Sequence, residues 1–357
     1  MNILILCKRS PQNKDLWLRP NGRFYHLAKR LSERGHQVDF MLLNYHRQEE
    51  FARVRDGFTW HSVNLLPNPF AYYSYSKALI KNNSIDIVIG FSDTYFGMLA
   101  VLLAKKMHIK SLVDAYDNYE SYLSWCKPLH YVWRYALRRA SYVTAAGKHL
   151  LRKMTENRNN ESTECILPMT ADEQFVILDK EQCRKKLGLP LDKKIIGYCG
   201  SVHANRGMDV FFRVIEQLSI THKNYLFVIT GRVQAQQKLP EHVMHLGYIS
   251  DEMMPIVINS LDVMVSINQN SDFGSYSYPV KIYEALACNV PVLAANTPSV
   301  AEILVGDPSA LFTVEQDEAL SQKLQILLLS ENTQKHKPKN SWDDIGDQLH
   351  VFLTQSQ

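Results

Sequence analysis

At 357 residues, 46% of them hydrophobic and 21% charged, the chain suits two globular domains of roughly 170 residues each. No apolar run is long enough for a bilayer-spanning helix, so a soluble protein is expected. The six scattered cysteines lack Cys-x-x-Cys or His partners at metal spacing, which argues against a disulfide scaffold or zinc site and fits a cytoplasmic location. The net charge of +4 is uneven: residues 1–168 hold 24 Lys and Arg against 14 Asp and Glu, and the remainder hold 16 against 22. A basic first half predicts an anionic partner, either a phosphate-bearing acceptor or a phospholipid surface. No nucleic-acid-binding module signature is present, and nucleic acid is not expected.

In chain order, Ile3–Cys7 reads as a first buried strand and not as a signal peptide, because Lys8 and Arg9 follow at once. A helix over Phe24–Arg34, closed by Gly35, precedes a strand at Val38–Leu43. The β-branched run Ile85–Phe91 predicts another strand. A helix over Tyr95–Met107, a strand at Ser111–Asp114, a helix over Leu129–Ala140 and short strands at Tyr142–Ala145 and Cys165–Leu167 complete the first domain, residues 1–168. Met169–Lys194 is polar and reads as an interdomain connection. The second domain, residues 169–340, repeats the plan. Its strands are Ile195–Cys199, Leu226–Thr230, Val263–Ile267 and Val290–Ala294, and its helices Met208–Thr221, Asp251–Asn259, Val280–Cys288 and Glu318–Leu329. A weak stretch, Ser330–Asn340, comes before a final amphipathic segment, Trp342–Leu353, within residues 341–357. Continuous apolar strands between helices predict an α/β fold with two doubly wound, Rossmann-like parallel sheets facing across a cleft.

Two segments carry candidate chemistry. In Tyr278-Pro-Val-Lys-Ile-Tyr-Glu284, a loop leaves a strand and enters a helix. Glu284 in an early turn suits a ribose diol, and Lys281 with the helix N–H groups suits a phosphate. The plainer alternative is a solvated Lys and a Glu that favours the helix dipole. In Tyr198-Cys-Gly-Ser-Val-His-Ala-Asn-Arg-Gly207, a strand ends at Gly200 and Arg206 opens a helix, where its fork can grip a diphosphate. The alternative is an ordinary strand-to-helix connection. Neither a Walker loop nor Gly-x-Gly-x-x-Gly occurs.

Taken in order, Gly200…Arg206-Gly207, Thr230-Gly231, His245-Leu-Gly-Tyr-Ile249, Asp262-Val-Met-Val and Glu284-Ala-Leu-Ala…Pro291-Val resemble the donor domain of the retaining GT-B glycosyltransferases, family four in particular. A looser similarity covers Asn21-Gly22…Gly35-His36-Gln-Val38, and Ser341-Trp342…Ile345 resembles the family's last helix, which crosses back to the first domain. The resemblance implies sugar transfer from a nucleoside diphosphate sugar, UDP by default, with no metal. Arg206 and Lys281 would bear the diphosphate charge, Glu284 would hold the ribose, and backbone around Gly247, Tyr248 and Ile249 would meet the base. Gly22, Gly200, Ser201 and Gly231 would complete the donor site. Tyr276 stands where the family often has a second glutamate, and Asp272-Phe273-Gly274 is the alternative counterpart. Ser201 stands where a diphosphate Arg is frequent. A sugar-nucleotide epimerase of the same layout and a non-catalytic sugar-nucleotide-binding protein are the rival readings.

On the first domain, Asp114, Asp117 and Glu120 cluster after a predicted strand, where they can orient an acceptor hydroxyl or cap the next helix. Tyr116-Asp117 stands where the family has His-Asp, which makes Asp117 a catalytic candidate beside Arg206 and Lys281. Asp93 is a further acceptor-side candidate with the same helix-capping alternative. Tyr131, Arg134, Tyr135 and Arg138 recur at helical spacing. With Arg139 they suit reversible contact with an anionic membrane surface carrying a glycan or lipid-linked acceptor.

Overall fold

The computed structural model describes residues 1–11, 14–158, 163–203, 206–329 and 340–355. It divides into two compact units, Met1–Met169 with Asn340–Gln357, and Thr170–Lys339.

The first unit runs β1 (Asn2–Lys8), α1 (Gly22–Glu33), β2 (Gln37–Asn44), β3 (Phe51–Arg55), β4 (Phe58–Asn64), α2 (Ala71–Asn82), β5 (Ile87–Gly90), α3 (Thr94–Met107), β6 (Lys110–Ala115), α4 (Lys127–Arg139), β7 (Tyr142–Ala145), α5 (Lys148–Thr155) and β8 (Glu164–Ile166). The strands form one sheet in the order β3-β4-β2-β1-β5-β6-β7-β8. Successive side chains of a strand point to opposite faces, and both faces of β1 are covered, which explains why it is apolar from Ile3 to Cys7. Ile3, Ile5 and Cys7 join a core built on α1, whereas Leu4 and Leu6 join another built on α2 and α3. The expectation of a purely parallel sheet is corrected at one edge, where β3 pairs antiparallel with β4, Val54 opposite Thr59.

The second unit runs α6 (Lys180–Leu187), β9 (Lys194–Cys199), α7 (Met208–Thr221), β10 (Tyr225–Thr230), β11 (Val243–His245), α8 (Met254–Asn259), β12 (Val263–Ser266), α9 (Val280–Ala287), β13 (Val292–Ala295), α10 (Pro298–Ile303), β14 (Leu311–Phe312) and α11 (Asp317–Leu329). Its sheet is ordered β11-β10-β9-β12-β13-β14, every pair parallel. Ile195 packs with α8 and α9 on one face, and Ile196 packs with α7 and α11 on the other.

Met169–Lys194 is more than a connection. Asp179 caps α6 by accepting from the Gln182 N–H at 2.8 Å. The buried Arg184 then donates to the Ser260 carbonyl at 2.9 Å and to Asp262 at 2.6 Å. Asp262 in turn accepts from the Ile195 N–H at 2.7 Å, tying α6 to the start of β9. Of the weak stretch Ser330–Asn340, residues 330–339 lie outside the described residues, as do Ala204 and Asn205 of the loop after β9.

The last helix, α12 (Trp342–Gln355), lies in the first unit against α1. Trp342, Ile345, Leu349 and Leu353 enter the α1 core. Arg30 donates to Asp347 at 2.7 and 2.9 Å, Arg34 joins the same carboxylate, and the His26 ring stacks on Trp342. No described helix is long and apolar enough to cross a membrane.

Candidate functional site

In the second unit, the carboxyl ends of β9, β10 and β11 converge on three glycines. Gly231 has φ +92°, and a Cβ there would lie 2.4 Å from the Gly200 carbonyl oxygen and 3.0 Å from the Ser201 nitrogen. Only glycine allows this backbone-to-backbone approach. Gly231 also donates its N–H to the Gly247 carbonyl at 2.7 Å, and a His245 ring nitrogen lies 2.9 Å from the Gly231 carbonyl. Just beyond, the exposed Tyr248 ring has the Arg232 guanidinium 5.6 Å over its face, and Ile249 packs into the core below.

The loop after β9 continues the sheet briefly. Val202 bridges Val233, and the Tyr198 hydroxyl donates to the Ser201 carbonyl at 3.1 Å. Arg206 then turns back, its N–H donating to His203, and Gly207 at φ +75° opens α7. The Arg206 guanidinium lies 5.6 Å over the ring of Phe273, and among the described residues it forms no ion pair with a carboxylate. Phe273 belongs to the loop after β12, which folds so tightly that a Cβ on Gly274 would meet the Gln269 carbonyl oxygen at 2.1 Å. Asp272 is exposed on this loop, and Tyr276 ends a short 3-10 turn, Gly274–Tyr276.

That loop delivers the chain into α9, where Lys281 Nζ and Glu284 Oε2 are 2.6 Å apart. Burial alone would lower the Lys281 pKa, but the Glu284 carboxylate outweighs it and the ammonium form is favoured. The Cys199 thiol at the end of β9 is pushed up to about 11, first by burial, with Lys281 and Glu284 acting on it in opposite senses. The pair thus sits close to the carboxyl end of β9. A carboxylate held by a cation near bare backbone is equipped to accept from a diol and to attract an anion.

In the first unit the carboxylate cluster separates into different roles. The Arg23 fork donates to both oxygens of Asp114, at 2.9 and 2.6 Å, and its Nη1 donates to the Leu167 carbonyl at 2.6 Å. Thr144 donates to Asp114 as well, at 2.6 Å. Asp114 is therefore a buried structural anchor, which removes it from the acceptor-side candidates. Asp93 caps α3 by accepting from the Tyr95 N–H at 2.9 Å, and burial raises its pKa. This is the capping alternative, beside a Ser92 held at φ +84°. Asp117 accepts from the Tyr122 hydroxyl at 2.7 Å and, with Asn118, Glu120, Arg134, Arg138 and Lys153, lines a cavity of about 100 Å³. Glu120 takes the Arg134 fork at 2.7 and 2.9 Å, so Arg134 is a partner within the fold as well as an exposed cation. Arg139 stacks on Tyr135 at 5.8 Å. Gly22 opens α1 at φ +72° with open space where a Cβ would stand.

Sequence reasoning missed Arg23, whose partner is 91 residues away, and Lys153, which sits on the unrecognised α5. It also missed Phe273 as the platform for Arg206 and Arg232 as the platform for Tyr248. A signal existed for one of these, since Arg232 follows Gly231 directly after a strand.

Residues 179–342 match the family model described as glycosyl transferases group 1, and residues 20–168 match the glycosyl transferase 4-like domain. The N-acetyl-alpha-D-glucosaminyl L-malate synthase of Bacillus anthracis is 20% identical over 353 residues, 93% of this chain and 90% of that one. Among solved structures, the sucrose-phosphate synthase of Thermosynechococcus elongatus is similar with a TM-score of 0.77 at 14% identity, covering 99% of this chain and 98% of that one. Anabaena HepE in complex with UDP-glucose is similar with a TM-score of 0.68 at 14% identity, covering 100% and 95%. At such identities the structural likeness speaks for the fold, and the family models, one in each unit, speak for the activity. The chain is a glycosyltransferase of the GT-B fold.

Proposed function

We propose that this glycosyltransferase takes its sugar from a nucleoside diphosphate sugar, UDP-linked by preference, and transfers it with retention to a saccharide or lipid-linked acceptor in cell-surface glycan synthesis. The observation that carries this reading is the Lys281–Glu284 pair, 2.6 Å apart in the early turns of α9 and close to the end of β9. Glu284 accepts hydrogen bonds from the ribose hydroxyls, and backbone at Gly247–Ile249 meets the base. Arg206, Lys281 and the start of α9 face the diphosphate. As the bond from sugar carbon to phosphate oxygen breaks, that oxygen gains negative charge, and fixed cations stabilise it without reorganising. The acceptor hydroxyl attacks from the face the diphosphate leaves, and the departing phosphate takes its proton. Fold-level likeness to a protein solved with UDP-glucose supports the choice of UDP.

The test is incubation with a panel of sugar nucleotides and a glycolipid acceptor, with and without EDTA. Transfer from one donor, undiminished by EDTA, is expected, because Arg206 and Lys281 supply positive charge at the diphosphate. Epimerised sugar nucleotide formed without acceptor, or binding without turnover, would overturn the reading.

A further inference from the structure

Between β6 and α4 the chain exposes an unusual run. Tyr122, Leu123 and Trp125 are all exposed, Trp125 at 78%, and Tyr131 follows in the second turn of α4 at 70%. Four large side chains so close together in sequence are more than the singly scattered apolar residues of an ordinary surface. The backbone that displays them is fixed. The Leu123 carbonyl accepts from the Cys126 N–H at 2.9 Å, a His130 ring nitrogen lies 3.1 Å from it, and the Lys127 N–H donates to the Trp125 carbonyl at 3.1 Å. Tyr122 is anchored through its hydroxyl to Asp117.

The charge around this run is one-sided. Lys127, Arg138 and Arg139 are exposed on α4, and Lys127, Tyr131, Arg134 and Arg138 recur every three or four residues along one stripe. Glu120 is the acidic residue of the segment 119–140, and it is already taken by Arg134. Aromatic and leucine side chains rimmed by cations match the boundary between anionic headgroups and acyl chains, where tryptophan is favoured.

We infer that Tyr122–Trp125, with Tyr131 and the cations of α4, forms an interfacial anchor that docks the first unit on an anionic lipid bilayer. Leu123, Trp125 and Tyr131 enter the acyl boundary while Lys127, Arg138 and Arg139 meet the headgroup phosphates. Because Tyr122 is bonded to Asp117 and Arg138 also lines the neighbouring cavity, docking brings that polar cavity to the lipid surface. The inference rests on the proposed function only for the lipid-linked nature of the acceptor; the contact itself is measured without donor or acceptor.

The experiment is co-sedimentation of the full chain with phosphatidylglycerol–phosphatidylcholine vesicles and with pure phosphatidylcholine vesicles. Wild type should sediment with the anionic vesicles, less so as salt rises, and poorly with the neutral ones. Leu123→Ser/Trp125→Ser should weaken partitioning about tenfold or more and leave the circular dichroism spectrum unchanged. Lys127→Glu/Arg139→Glu should abolish the preference for anionic vesicles. Wild type remaining in the supernatant, or the serine variant sedimenting like wild type, would overturn the anchor. Calorimetry of UDP binding on the same samples separates the two ideas. An anchor can fail while UDP binds, and UDP can fail to bind while the vesicles still sediment the protein.

Discussion

Each unit places a cation–carboxylate pair near the carboxyl edge of its sheet, and the two differ in what surrounds them. Arg23 and Asp114 are sealed, with 2% and 0% of their side chains exposed, and both oxygens of Asp114 are taken up by the Arg23 fork, one of them also by Thr144. Lys281 and Glu284 are 28% and 8% exposed, on a helix that packs against Cys199, the last residue of β9 before Gly200. The first pair joins α1 to β6 and, through the Leu167 carbonyl, to the segment just past β8. The second is solvent-accessible on its cationic side. Residue type and strand-end position are therefore poor guides to a site when taken alone. Access to solvent and bare backbone separate a group that builds the fold from one that can meet a ligand.

The sharpest way to break this contrast is Asp114→Ala. It leaves the Arg23 guanidinium buried without its counter-charge, which costs about 3–5 kcal/mol. Urea denaturation should show that loss in the midpoint, with an unchanged slope. A cost below about 1 kcal/mol would place this pair with accessible ones and erase the distinction.

Substitutions in the second unit should reverse the pattern, with large effects on ligand and small ones on fold. Arg206 borders a helix start and stacks on Phe273, so Arg206→Ala should cost about 1.5–3 kcal/mol in kcat/KM through the lost charge-assisted phosphate contact. Its melting temperature should barely move. Glu284→Gln should weaken UDP binding by about 1–3 kcal/mol, since the amide offers one acceptor oxygen where the carboxylate offers two. That loss should shrink for a 2′-deoxy nucleotide. Calorimetry that finds equal UDP affinities for wild type and Glu284→Gln would remove the central residue from the site.

Much of the second unit was legible because its elements carry strong periodic signals. The strands of its sheet centre are buried on both faces, as in the apolar run Ile195–Cys199, and the loop-to-helix entry at Val280 lies within a few residues of both Lys281 and Glu284. Elements that hide their apolar residues were lost. In Lys180–Leu187 a polar outer face masks Cys183, and its burial depends on Arg184 reaching Asp262, 78 residues onward. The edge strand Phe51–Arg55 is mostly exposed and so has no buried face to reveal it. The role of Asp114 was illegible for the same reason. A carboxylate at a strand end reads as available until the arginine that claims it, far off in sequence, is located by folding.

Glu120 and Arg134 test the boundary between the two kinds of pair. The Arg134 side chain is 52% exposed and that of Glu120 12%, so solvent screens the attraction, and about 0.2–1 kcal/mol is expected from it. Burial acts to raise the Glu120 pKa, and Arg134 outweighs it to leave the carboxyl below its usual range. A depressed folded-state value means the contribution is present above the unfolded carboxylate pKa, about 4.3, and is lost as pH falls through the folded value. Glu120→Gln should therefore destabilise slightly at neutral pH, less in high salt, and converge with wild type in acid. Paired denaturation curves at both pH values measure this. A cost above about 2 kcal/mol at neutral pH would be too large for a screened pair, and it would group Glu120 with Asp114 as a builder of the fold. A difference that persists unchanged in acid would mean that shape, not charge, makes Glu120 matter beside the cavity.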